Sequence, residues 1–144
     1  MILKNALIYT PENTFKKGDL AVNGSVISEP AAGDSKLFDA SGLYAIPGLT
    51  DIHLHGCMGH DFCDAAEDTL EAIAAYQARS GVTGFVPASM TFSEKKLSGI
   101  FENAAHQEQE AGAMLLGVNM EGPFLAEKKK GAQNARYLMP PDIP

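Results

Sequence analysis

Pro47-Gly48-Leu49-Thr50-Asp51-Ile52-His53-Leu54-His55-Gly56 is an apolar run bounded by turn formers. Its composition predicts a β-strand over Leu49 to Leu54. Successive strand side chains point to opposite faces, so His53 and His55 share one face and Leu54 takes the other. Ile52 and Leu54 are expected to pack outward against helices, leaving the imidazoles to face inward. A second run, Gly117-Val118-Asn119-Met120-Glu121, ends at Gly122-Pro123-Phe124. Gly117, Asn119 and Glu121 share its inner face, and the rigid Gly122-Pro123 pair fixes the direction of the carboxylate. Two imidazoles and a carboxylate at strand ends form a donor set for a hydrolytic metal site. The alternatives are a structural histidine pair and a glutamate that caps a helix or pairs with Lys128.

Outward from these motifs, the chain reads as alternating strands and helices. Ala66 to Arg79 is a helical stretch with Leu70, Ile73, Ala74 and Gln77 on one stripe and Gly81 as its stop. Val82 to Val86 is a strand. Ser93 is an N-cap for a helix carrying Leu97, Ile100, Phe101, Ala104 and Ala105. Met114 to Met120 is a third strand. This alternation predicts parallel βαβ units. A closed (β/α)₈ barrel takes about 250 residues, so residues 46–144 are expected to be the first three or so units of a longer barrel. Residues 1–45 differ: β-like pieces at Ile2 to Tyr9, Asp19 to Ile27 and Lys36 to Leu43 are separated by Pro11-Glu12-Asn13, Asn23-Gly24 and Ala32-Gly33-Asp34. They predict a small antiparallel β unit with a hairpin turn at Asn23-Gly24.

The composition sets bounds on function. The 144 residues are 45% hydrophobic and 20% charged, an ordinary globular balance. A net charge of −7 argues against a general nucleic-acid binder. No run reaches the length of a membrane span, and the first residues lack the apolar stretch of an export signal. The expectation is a cytosolic protein with no membrane or nucleic-acid partner. Cys57 and Cys63 have neither zinc-knuckle nor redox spacing and are expected to be reduced, buried thiols.

Four further features are weaker. His60 and Asp61, in a glycine-bearing loop, are not assigned as ligands. His106, among Gln107, Glu108, Gln109 and Glu110, is expected to be solvated. Lys128-Lys129-Lys130 is either a solvated face or an attractor for an anionic substrate. Gly131-Ala132-Gln133-Asn134 offers amide groups and flexible backbone suited to sugar hydroxyls or an acetamido group.

The 47–56 stretch resembles the opening signature of the amidohydrolase superfamily. Together with Asn119-Met120-Glu121-Gly122-Pro123-Phe124, Lys128-Lys129-Lys130-Gly131-Ala132-Gln133-Asn134 and the run Thr83-Gly84-Phe85-Val86-Pro87 through Thr91, the chain resembles the N-acetylglucosamine-6-phosphate deacetylases over essentially all its length. The resemblance implies a small β-sandwich domain, to which residues 1–45 contribute, beside a (β/α)₈ barrel. It implies hydrolysis of an acetamide on an amino-sugar phosphate by a divalent metal (zinc, iron or manganese) in a homo-oligomeric parent enzyme. Glu121 matches the family's glutamate ligand, and His53 and His55 match the histidine pair of members with a second metal position. Ala132 and Gln133 fall where the family contacts the sugar, with Asn134 beside them. Two more histidine ligands and the general-base aspartate lie downstream in the family and are not in this sequence, so the chain alone is expected to be inactive. The family often has histidine where Asn119 and Gln133 stand; Gln133 hydrogen-bonds but carries no titratable proton near neutral pH. The other classes to weigh are an amidohydrolase acting on a cyclic amide and a non-catalytic truncated domain.

Overall fold

A computed structural model describes residues 1–30, 36–107 and 111–141. The expected turn at Ala32-Gly33-Asp34 and the polar residues Glu108-Gln109-Glu110 lie outside the described residues. The chain divides into two units, Met1–Pro47 and Gly48–Pro144.

In the first unit, the long strand β1 (Ile2–Tyr9) pairs antiparallel with β2 (Phe15–Asn23), which pairs antiparallel with β3 (Val26–Ser28). The β1–β2 register shifts between Leu3 and Ala6. Asn5 sits there at φ 61°, its N–H bonded to the Asp19 carboxylate at 2.9 Å. The hydrogen bond from Lys4 holds the Asp19 carboxyl below the usual range. Two expectations are corrected. Asn23 pairs with Val26, so the two-residue turn is Gly24-Ser25 rather than Asn23-Gly24; Gly24, at φ +60°, supplies the first central residue of a mirror-image turn. The unit is also not purely antiparallel. Both β4 (Leu37–Asp39) and β5 (Tyr44–Ala45) run parallel to β1, making one mixed sheet among the described residues. The chain leaves β3 at one edge and re-enters beside β1, which sets it parallel.

The second unit is a parallel sheet in the order β10-β9-β6, with β6 at Leu49–Leu54, β9 at Val82–Pro87 and β10 at Met114–Leu115. Helix α1 (Thr69–Arg79) follows β6 and helix α2 (Glu94–His106) follows β9. Phe62, Leu70, Ile73, Phe85, Leu97 and Ile100 form the buried core between sheet and helices. Leu54 packs against that core, but Ile52 is 69% exposed. The expectation that both pack under helices therefore holds for Leu54 alone, because β6 is an edge strand.

The connection from β6 to α1 is more structured than its sequence suggested. Gly56–Cys57 (β7) and His60–Asp61 (β8) form a tight antiparallel hairpin, and Phe62–Asp64 is a 3₁₀ turn. That turn ends at Ala65 with φ 51°, so the chain must bend again before α1, which begins at Thr69 rather than Ala66. The predicted third strand shortens to β10; pairing resumes only at the isolated Ala88–Asn119 bridge. Gln77, on the predicted stripe, is 6% exposed and donates to Asp51 at 3.0 Å. Among the described residues, no helix is long and apolar enough to cross a membrane.

Candidate metal centre

The three predicted donors converge. Oxygen and nitrogen atoms of His53, His55 and Glu121 all lie within 4.8 Å of one another. The period of two in β6 sets the imidazoles side by side, their rings 5.1 Å apart and at 87°. Glu121 stands at the end of the third parallel run, with its Oε2 3.6 Å from His53 Nε2 and 3.4 Å from His55 Nε2. That oxygen is buried and has no hydrogen-bond partner among the described residues. A buried carboxylate oxygen with no donor is costly unless something positive completes it. The donor set and this orphaned oxygen together fit a divalent cation.

The two imidazoles are held differently. His55 Nδ1 lies 3.0 Å from the carbonyl of Ala88. A carbonyl only accepts, so Nδ1 carries the proton and the Nε2 lone pair of the neutral ring faces Glu121. His53 Nδ1 instead lies 3.2 Å from the Asn119 amide nitrogen, which also donates to the Ile52 carbonyl at 3.4 Å. In that arrangement Nδ1 accepts, and the proton of a neutral His53 sits on Nε2. His55 therefore presents a lone pair at Nε2, whereas His53 would present one there only with its proton on Nδ1 and the Asn119 carbonyl oxygen facing it.

Sequence reasoning noted the run through Thr91 only for its resemblance and gave no role to the segment after β9, Pro87-Ala88-Ser89-Met90-Thr91, which binds the two halves of the site together. Each of its four N–H groups is taken: Ala88 by Leu54 O (2.7 Å), Ser89 by Asn119 O (2.9 Å), Met90 by Cys63 Sγ (3.2 Å) and Thr91 by Gln133 Oε1 (2.8 Å). The Ser89 hydroxyl accepts from Glu121 N at 3.2 Å and the Thr91 hydroxyl donates to Glu121 O at 3.2 Å. Ser89 and Thr91 are both buried. Two hydroxyls at i and i+2 beyond an apolar strand were the one signal available, and it reads equally well as polar surface.

The other candidates fall elsewhere. Gln133 is 4% exposed; besides Thr91 N it contacts Met90 Sδ at 3.7 Å, so its amide is spent within the protein. Ala132 and Asn134 are exposed, and Asn134 Oδ1 accepts from Arg136 N at 3.0 Å. Lys130 donates to the carbonyls of Gly131 and Gln133, while Lys128 and Lys129 are exposed. His60 lies 3.9 Å from Asp68, outside the cluster. His106 is exposed, with Nδ1 2.8 Å from Glu102 O. Burial pushes both thiols up, Cys63 further aided by nearby Asp61, so both stay protonated near neutral pH.

Comparisons agree on the relatives. No protein-family model matches the chain. It is 31% identical, over 154 aligned residues, to the N-acetylglucosamine-6-phosphate deacetylase of Bacillus subtilis, covering 99% of this chain and 39% of that protein. The solved N-acetylglucosamine-6-phosphate deacetylase of Pasteurella multocida superposes with a TM-score of 0.79 at 27% identity, over 96% of this chain and 38% of that one. A mutant of the Mycobacterium smegmatis N-acetyl-D-glucosamine-6-phosphate deacetylase, solved in complex with N-acetyl-D-glucosamine-6-phosphate, shares the fold at a TM-score of 0.79 and 24% identity, over 99% of this chain and 38% of that one. The chain thus spans about two fifths of the length of the relatives it matches. Over that share, in sequence and in fold, it is similar to the N-acetylglucosamine-6-phosphate deacetylases.

Proposed function

We propose that this chain is the front, metal-bearing part of an enzyme that hydrolyses N-acetylglucosamine 6-phosphate to glucosamine 6-phosphate and acetate. One observation carries the reading: the orphaned Glu121 oxygen converges with two imidazoles in a chain whose relatives are named for that reaction. In this reading Gly48–Pro144 opens a (β/α)₈ barrel, whose functional residues collect at the strand C-termini. Met1–Pro47 supplies part of a small β domain.

Glu121, His55 and His53 would hold a divalent metal, whether zinc, iron or manganese. When bound, such an ion supplies Lewis acidity to the acetamide carbonyl and lowers the pKa of water towards neutrality. The chain's own contribution is orientation. The Ala88 carbonyl sets the His55 tautomer, and the Glu121 backbone is gripped on both its N–H and its C=O. The general base, an aspartate, and two further histidines are expected from outside residues 1–144.

The exposed Ala132 and Asn134 are proposed to face the sugar, with Gln133 holding their segment in place. Exposed Lys128 and Lys129 would draw the anionic substrate towards this loop. The parent enzyme is proposed to be a cytosolic homo-oligomer that meets neither membrane nor nucleic acid; the net charge of −7 on these 144 residues argues against nucleic acid.

The test is acetate release from N-acetylglucosamine 6-phosphate by the full-length protein carrying this chain, with Zn²⁺, Fe²⁺ or Mn²⁺ supplied. Turnover with at least one metal, lost on Glu121→Gln, is the expected result. No turnover with any of the three overturns the reading.

A further inference from the structure

We propose that Ser89, Thr91 and Gln133 are positioning residues that aim the Glu121 carboxylate between His53 and His55. The inference rests on the metal reading above. Gln133, matched by resemblance to a sugar contact, also acts through Thr91.

The argument begins with how weakly the Glu121 side chain is held. Its Oε2 has no hydrogen-bond partner among the described residues, and the two imidazole Nε2 atoms stand off at 3.4 and 3.6 Å, so that oxygen is only loosely directed. Direction must come from the backbone. The Ser89 hydroxyl accepts from Glu121 N and the Thr91 hydroxyl donates to Glu121 O, each at 3.2 Å. Gripping both polar groups of one residue fixes the plane from which its side chain leaves. Glu121 stands beyond the last paired residue of its run, Asn119, where no sheet ladder does this work.

Thr91 is useful only if it is itself immobile. Its side chain is 2% exposed, and its own N–H is bound by Gln133 Oε1 at 2.8 Å. Gln133 is in turn anchored by Lys130, which donates to its carbonyl at 2.9 Å. Gly122, directly after Glu121, closes the grip: a Cβ there would lie 2.0 Å from Thr91 Oγ1. The Thr91–Gln133 bond is buried and the others part-buried, where hydrogen bonds are stronger than in water. The chain of contacts Lys130, Gln133, Thr91, Glu121 connects the loop proposed to meet the sugar with the metal ligand. Loop and ligand are thereby set in one frame.

The test titrates Zn²⁺ alone into the full-length protein carrying this chain and follows the imidazole ¹⁵N shifts of His53 and His55. Thr91→Val and Gln133→Leu are expected to weaken Zn²⁺ binding about tenfold, the low end for removing an outer hydrogen bond at a metal site. Thr91→Ser keeps the hydroxyl and is expected to bind within twofold of the parent. A general packing role would not separate Ser from Val in this way. Folded Thr91→Val and Gln133→Leu chains that bind Zn²⁺ like the parent overturn the proposal. Where a variant fails to fold, amide hydrogen exchange of the unaltered chain decides. Slow exchange at both Thr91 and Glu121 supports the grip, and exchange at free-peptide rates at either overturns it. If those amides are protected yet the imidazoles never respond to Zn²⁺, the metal reading itself fails, and the positioning role falls with it.

Discussion

At the scale of single residues, the site depends on backbone geometry that its side-chain chemistry does not advertise. His53, His55 and Glu121 were legible because strand periodicity and a glycine-proline stop say where their side chains go. The Ala88 carbonyl that sets the His55 tautomer was not, since any residue carries a carbonyl. Gly122 was legible as a strand stop but not as a contact. It sits at φ +82°, and a Cβ would meet Thr91 Oγ1 at 2.0 Å and Thr91 Cβ at 3.0 Å. Gly122→Ala therefore adds left-handed backbone strain, roughly 1–2 kcal/mol, to overpacking against a buried side chain, roughly 1–3 kcal/mol. A loss of about 3 kcal/mol in urea unfolding is expected, with weaker Zn²⁺ binding because Thr91 must move. A loss under about 1 kcal/mol, the cost of neither effect, would show that Thr91 yields without strain and that the contact is loose.

At the scale of elements, legibility followed length and periodicity. Strand β6 and helix α2 stand where the pattern placed them, because each carries several turns or alternations of one period. The hairpin Gly56–Cys57/His60–Asp61 was missed, since two-residue strands are too short to show a period. The delayed start of α1 was missed because the left-handed Ala65 has no side-chain signature. Asp68 precedes α1 without making a side-chain cap, whereas Ser93 accepts from Lys96 N at 3.4 Å at the start of α2. Ser93→Ala is accordingly expected to cost about 1 kcal/mol, and Asp68→Ala much less than the usual cap loss of about 1 kcal/mol. Thermal melts of the two variants check the contrast. Equal losses would mean that the 3.4 Å bond of Ser93 contributes little. Because α2 packs Leu97 and Ile100 into the core beneath β9, that loss also loosens the frame that leads on to Ser89 and Thr91.

At the scale of the whole molecule, sequence could give the front of an α/β pattern but not what covers it. In the unit Gly48–Pro144, Leu49, Ile52, Met114, Leu116, Met120 and Phe124 are each about half exposed or more. These residues include Leu49 and Ile52 on β6 and Met114 on β10, the two edge strands of the sheet among the described residues. At roughly 25 cal/mol per Å² of apolar surface removed from water, covering such side chains favours association. The relatives it matches are more than twice as long, and in the barrel reading proposed above that additional length would cover these edges. Among the described residues the donor cluster is His53, His55 and Glu121, and no aspartate joins it; the neighbouring Asp51 carboxylate is engaged by His53 N–H and Gln77 Nε2. The 144-residue chain by itself is therefore expected to release no acetate from N-acetylglucosamine 6-phosphate, with or without Zn²⁺. It is also expected to scatter light as a concentration-dependent assembly. The two measurements belong together: a monodisperse, cooperatively melting monomer that releases acetate would mean that the visible half-site suffices. An inactive but monodisperse monomer would instead mean that the exposed strands β6 and β10 are not cut faces of a barrel, and would return the chain to the reading of a small independent domain.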